Sequence, residues 1–126
     1  MRTVLFVAIA AMLWVSCSKK TPFPMDREWK LAAMNGKNMS GENAFSLNFN
    51  AAEKAFSGRA CNNYRGTYEL KGSKLTFSQP ASTKMMCPNM SEENEYMKTL
   101  STVDGYRFNG NNLYLTSGGS DVLLYK

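Results

Sequence analysis

The sequence predicts a mainly β domain, an antiparallel sandwich or barrel of short strands with one helix laid against the sheet. Three observations predict it. Apolar residues recur with period two over most of the chain, turns rich in glycine and asparagine separate those runs, and one acid-led segment has helical spacing instead. At 126 residues the chain has the length of one small domain.

The first segment stands apart from that domain. Met1-Arg2-Thr3 gives a short basic start, Val4 to Val15 is almost wholly apolar, and Ser16 precedes Cys17. A membrane span needs about 20 apolar residues, and this run is shorter. Residues 1–16 therefore read as a secretory signal. With cysteine at the cut, the stretch Leu13-Trp14-Val15-Ser16-Cys17 resembles the lipobox of a bacterial lipoprotein, with Trp14 where leucine is usual. That resemblance makes Cys17 the lipidation site. The alternatives are an ordinary secretion signal, or a buried first helix with an incidental cysteine.

Residues 17–26 then form the lipidated N-terminus and a linker, carrying two prolines and no periodic pattern. Lys19 and Lys20 follow the lipid and would favour anionic headgroups. Loss of Arg2 with the signal lowers the formal charge from +5 to +4. No block of like charges appears, so solubility explains the balance, and an envelope location argues against nucleic acid as a partner.

Strand periodicity starts at Trp29, Leu31 and Ala33 and resumes at Phe45, Leu47 and Phe49. It continues at Tyr64, Gly66, Tyr68 and Leu70, then at Leu75 and Phe77, and at Tyr106 and Phe108. Leu113 with Leu115, and Val122 with Leu124, close the series. Each set belongs on one face of a sheet. The turns fall at Asn35-Gly36, Lys71-Gly72-Ser73, Asn109-Gly110-Asn111-Asn112 and Gly118-Gly119-Ser120, where glycine and asparagine accept the positive φ of tight hairpins.

Ser91 to Leu100 departs from this pattern. Ser91 is the expected N-cap, and the acids that follow suit the positive end of a helix dipole. Tyr96, Met97, Leu100 and Val103 make one apolar stripe, and the acidic cluster reads as a solvated helix start.

Cys61 and Cys87 lie at strand ends, the second just before Pro88 and the helix. Joined, they would close a loop of about 27 residues, worth roughly 3–4 kcal/mol in the chain-entropy account. The alternative is two free, buried cysteines acting as small apolar fillers.

These segments carry a family resemblance. Cys61, Asn62, Tyr64, Gly66 and Tyr68, then Thr83, Met85, Met86 and Cys87, then Glu95 and Leu100, resemble the motifs of the META (HslJ-like) domain family. Trp29-Lys30-Leu31, Asn35-Gly36, Phe49, Phe56, Gly58 and Leu113 with Leu115 extend the match, setting the domain at residues 27–126. Ala60 stands where many members have glycine. The resemblance implies a small antiparallel β-barrel-like domain with one α-helix packed against it. It also implies an envelope lipoprotein associated with heat shock and antibiotic tolerance, and no catalytic residues. Asn62 is expected to turn the backbone beside Cys61, Gly66 to permit a bulge or close packing, and Thr83 to bond locally.

The chemistry inventory agrees with that implication. The chain contains no histidine, which removes the commonest general base and metal ligand. No glycine-rich phosphate loop occurs, and the acids are scattered. The expectation is a non-enzymatic domain without cofactor, lipid-anchored in the envelope on an outer membrane facing the periplasm, that meets an envelope partner or supports stress tolerance. The alternative function is binding of a small ligand. Phe45, Tyr68, Phe77 and Tyr106 would line an apolar site, or Met85, Met86, Cys87 and Met90 would offer sulfur to Cu(I). Against copper stands the plainer reading of core methionines flanking a disulfide.

Overall fold

The computed structural model describes residues 27–126. The expected signal peptide, the expected lipidation site Cys17 and the expected linker to residue 26 lie outside the described residues. The strands are β1 (Trp29–Met34), β2 (Lys37–Asn38), β3 (Ser46–Asn50), β4 (Ala55–Arg59), β5 (Asn63–Lys71), β6 (Lys74–Phe77) and β7 (Ala81–Ser82). After the helix α1 (Met90–Thr102) come β8 (Gly105–Asn109), β9 (Asn112–Ser117) and β10 (Ser120–Tyr125). They form one antiparallel sheet in the order β6-β5-β4-β3-β1-β10-β9-β8, with β2 on β1 and β7 on β5.

The fold is mainly β with one helix, as expected, but the sheet does not close. It curls instead. α1 packs on both β6 and β10, and β6 lies beside β8 although the two stand at opposite ends of the strand order. Across that seam the Leu75 amide donates to the Asp104 carbonyl at 3.3 Å, and the Tyr106 hydroxyl donates to the Gly72 carbonyl at 3.1 Å. "Barrel-like" describes the shape only loosely.

The turns are those the sequence predicts. Asn35 and Gly36 have φ of 49° and 79°, and Gly118 and Gly119 have 56° and 83°, the paired positive values of a two-residue hairpin. A further turn escaped the sequence reading: Ala51 to Lys54 joins β3 to β4, with Lys54 at φ 49°.

Two strands break the expected alternation. In β10 the buried residues are Leu123 and Tyr125, not Val122 and Leu124, which are only half-buried. The β9–β10 register shifts between Asp121 and Leu123, and one extra residue moves every later side chain to the other face. In β1 a shift between Leu31 and Ala33 leaves Ala33 half-buried and seats Met34 fully in the core.

The interior is filled by its own side chains. Phe49 meets Tyr68 edge-on at 5.3 Å between ring centroids, Phe56 meets Phe77 at 5.0 Å, and Phe45 meets Tyr96 at 5.2 Å. Glycine is required where these rings press on backbone. A Cβ on Gly66 would come within 2.6 Å of the Phe56 ring, and one on Gly58 would overlap the Ser46 carbonyl. Gly66 thus serves close packing, with the β4–β5 register unbroken beside it.

The helix runs two residues further at its start and two at its end than the sequence indicated. Asn89, not Ser91, occupies the N-cap, and no side chain caps it; Ser91 lies inside the first turn. Tyr96, Leu100 and Val103 are buried as the stripe predicts. Glu93 is buried too, so the acidic start is not wholly solvated.

Candidate functional site

Asn62 is the hub of the motif-bearing region. It immediately precedes β5 and is 1% exposed. Its Oδ1 accepts from the Met85 amide at 2.7 Å and from the Thr83 hydroxyl at 3.0 Å. Its Nδ2 donates to the Met85 carbonyl at 3.1 Å and to Glu93 Oε2 at 3.0 Å. Its backbone amide donates to Glu93 Oε1 at 3.1 Å. Two donors and two acceptors exhaust the side chain, leaving nothing for a ligand.

Asn62 does more than cap or turn the backbone beside Cys61, and Thr83 bonds across the fold to Asn62 Oδ1 instead of locally. The Asn62 amide binds a strand start, residues 83–85 and the first turn of α1 into one unit. Glu93 owes its burial to these bonds, since a buried carboxylate needs charge-assisted partners.

The disulfide clasps the same region. The structure pairs Cys61 with Cys87, Cα atoms 6.2 Å apart, within the normal reach of such a bond. Thus residues 83–87 carry an amide clamp near one end and a covalent link at the other.

Tyr64 belongs to a second buried network. Its hydroxyl donates to the Ser46 carbonyl and meets the Tyr96 hydroxyl at 2.7 Å, which meets the Tyr125 hydroxyl at 2.8 Å. Burial, reinforced by the neighbouring phenols, pushes all three hydroxyls well above the ordinary tyrosine value. They stay protonated and act as hydrogen-bonded struts between β3, β5, α1 and β10.

Two surface features complete the picture. The larger is a cleft of about 640 Å³ on the outer face of β3, β4 and β5, walled by residues 81–83. Asn48, Ser57, Arg59, Asn63, Arg65 and Ser82 line it, and no carboxylate does. Ser57 pairs with Arg65 and Arg59 with Asn63, so the arginines are diagonal neighbours, about 7–8 Å apart between Cα atoms. Neither guanidinium has a hydrogen bond or ion pair among the described residues. A second cleft of about 450 Å³ continues past Arg65 toward Glu53 and Gln79.

The other feature is a cavity of about 290 Å³ between residues 82–86 and α1, lined by Met85, Met86, Met90 and Met97 among others. Met85 and Met86 are exposed, so the reading of core methionines is overturned. The copper reading changes as well: Cys87 sits in the disulfide, and Met97 joins the methionines instead. Among the described residues no three His, Cys, Asp or Glu side chains gather as a metal site.

Of the motif residues, the structure unites Cys61, Asn62, Thr83, Met85, Met86 and Cys87, while Tyr64 and Gly66 face the core. Sequence reasoning missed Arg59, Arg65 and Glu93. The polar positions of β4 and β5 alternate outward and carry the arginines, but only the hairpin pairing brings them together.

Comparisons with known proteins agree with this architecture. A sequence model of the META domain matches residues 22–126. One protein solved by NMR is 26% identical, with a TM-score of 0.65 over 81% of this chain and 89% of its own. An NMR structure of a protein from Burkholderia xenovorans is 25% identical, with a TM-score of 0.63 over 80% and 81%. A DUF4847 family protein from Bacteroides vulgatus shares the fold at 19% identity, with a TM-score of 0.60 over 80% and 91%. No curated protein matches the chain.

Proposed function

Since the chain belongs to the META domain family, we propose that it is a non-enzymatic, lipid-anchored envelope domain that docks an acidic segment of a partner protein. One observation carries this reading. A cleft of about 640 Å³ holds Arg59 and Arg65 as diagonal neighbours with no acid among its lining residues. Two adjacent like charges repel unless something negative lies between them. Arginine presents a planar fork suited to carboxylates, and about 640 Å³ falls within the usual 300–1,000 Å³ of binding clefts.

The remaining parts fit a tethered docking role. The lipobox-like stretch supplies an anchor at Cys17, residues 17–26 give the domain reach, and the histidine-free composition offers no proton shuttle. Anchoring in an outer membrane facing the periplasm, with docking under envelope stress, completes the reading.

A photo-crosslinking residue at Ser57, inside the cleft, tests it in cells. The expected result is a discrete crosslinked partner that disappears when Arg59→Glu and Arg65→Glu are introduced together. A crosslink indifferent to charge reversal, or recovery of the domain alone at rest and under heat stress, overturns the proposal. Intact-mass analysis of the membrane-purified protein tests the anchor, expecting a lipid adduct on Cys17.

A further inference from the structure

We propose that Met85, Met86, Met90 and Met97 form a thioether site for a soft monovalent cation, Cu(I) or Ag(I). The four side chains come from two elements and line one cavity of about 290 Å³. Met85 and Met86 are the large hydrophobic side chains left exposed among the described residues, Met86 at 91%. Burial therefore gives no account of their presence, and another use of the sulfur does.

The positions are held from both sides. Asn62 grips the Met85 backbone through its amide and its carbonyl, and Cys87, next to Met86, is covalently fixed to Cys61. Opposite them, Met90 and Met97 stand seven residues apart on α1, two turns along one face. Such support on rigid elements is what a ligand set needs to be preorganised.

The donor set selects the ion. Thioethers are neutral, soft and carry no proton, so they favour Cu(I) or Ag(I) over hard divalent cations, with little dependence on pH. Two charged residues share the cavity, Lys84 and Glu93, of opposite sign. Glu93 is 3% exposed and has both oxygens engaged by Asn62, so it serves the scaffold and not the ion.

The test uses the full chain carrying Cys17→Ser, with Cys61 and Cys87 oxidised so that no thiol competes. Methyl-labelled methionines are followed by NMR during anaerobic titration with Ag(I), then with Cu(I). The expected result is saturation at one ion per chain, with the methyl signals of Met85, Met86, Met90 and Met97 moving together while that of buried Met34 stays. Replacing the two exposed residues, Met85→Leu with Met86→Leu, leaves the fold intact and weakens binding by about tenfold or more. No binding, binding indifferent to that double substitution, binding that appears only after the disulfide is reduced, or an equal response to Zn(II) would each overturn the proposal.

Discussion

Residues 105–125 and residues 78–89 lie at opposite extremes of how a chain is held in place. The first stretch is three strands joined by two-residue turns, with backbone pairing along nearly its whole length. The second contains only the two-residue strand β7, yet it walls one cleft and flanks the methionine cavity. What replaces the missing ladder is side-chain chemistry: three bonds from the Asn62 amide to Thr83 and Met85, and one disulfide. The difference teaches that the surface bearing the candidate sites depends on a few long-range links, whereas the hairpins depend on many local ones.

Removing the covalent link should show the contrast most strongly. Separated by 26 positions, Cys61 and Cys87 close a loop whose constraint is worth about 3–4 kcal/mol in the chain-entropy account. Cys61→Ala with Cys87→Ala should lower stability to urea by that amount. Hydrogen exchange should quicken in residues 78–89 and leave residues 105–125 protected; uniform loss of protection would refute the division.

Asn62→Ala should come next. It strips partners from the Met85 backbone, the Thr83 hydroxyl and a buried carboxylate, at a cost of about 3 kcal/mol. Adding Glu93→Gln should recover part of that loss, because a neutral amide left with only the residue 62 backbone bond is cheaper to bury than a charge so left. Urea titrations of the single and double variants check both steps, and no recovery would mean that Glu93 finds other partners.

Gly118→Val strikes the hairpin region instead. Its φ of 56° is unfavourable to a β-branched residue, while nothing beyond its chain neighbours lies within 4 Å of an added Cβ, so the effect is chiefly one of backbone conformation. The expected loss is roughly 1–2 kcal/mol, with exchange quickened at the β9–β10 turn alone.

The smallest effect concerns Asp121 on β10. The Arg107 guanidinium donates to it at 2.6 and 3.0 Å and holds its carboxyl below the usual aspartate value. A depressed folded value means that the pair contributes above the unfolded pKa and is lost as pH falls through the folded one. Both groups are exposed, so stability should scarcely respond. The carboxyl carbon signal is the better readout, and its titration midpoint should rise in Arg107→Met.

Much of the hairpin half was legible in the sequence. Asn109-Gly110 and Gly118-Gly119 mark their turns, and Leu113 and Leu115 mark the inner face of β9. The inner face of β10 was not legible, because a single-residue shift at Asp121 exchanges Val122 and Leu124 for Leu123 and Tyr125. Around the candidate sites less could be read. Strand β4 hides its alternation behind Gly58, an inward position with no side chain to signal it. Glu93 looked solvated because its partner lies 31 residues earlier. The exposure of Met86 is likewise set by distant links, not by its neighbours.

The seam between β6 and β8 has a bearing on solubility. An open sheet ends in two rows of unpaired amides and carbonyls, a template on which other chains can assemble into fibrous aggregates. Here the two rows are turned toward each other, bridged from Leu75 to Asp104 and from Gly72 to Tyr106. The domain therefore guards its own edges without closing a cylinder, an arrangement that keeps strand from adding to strand at high local concentration.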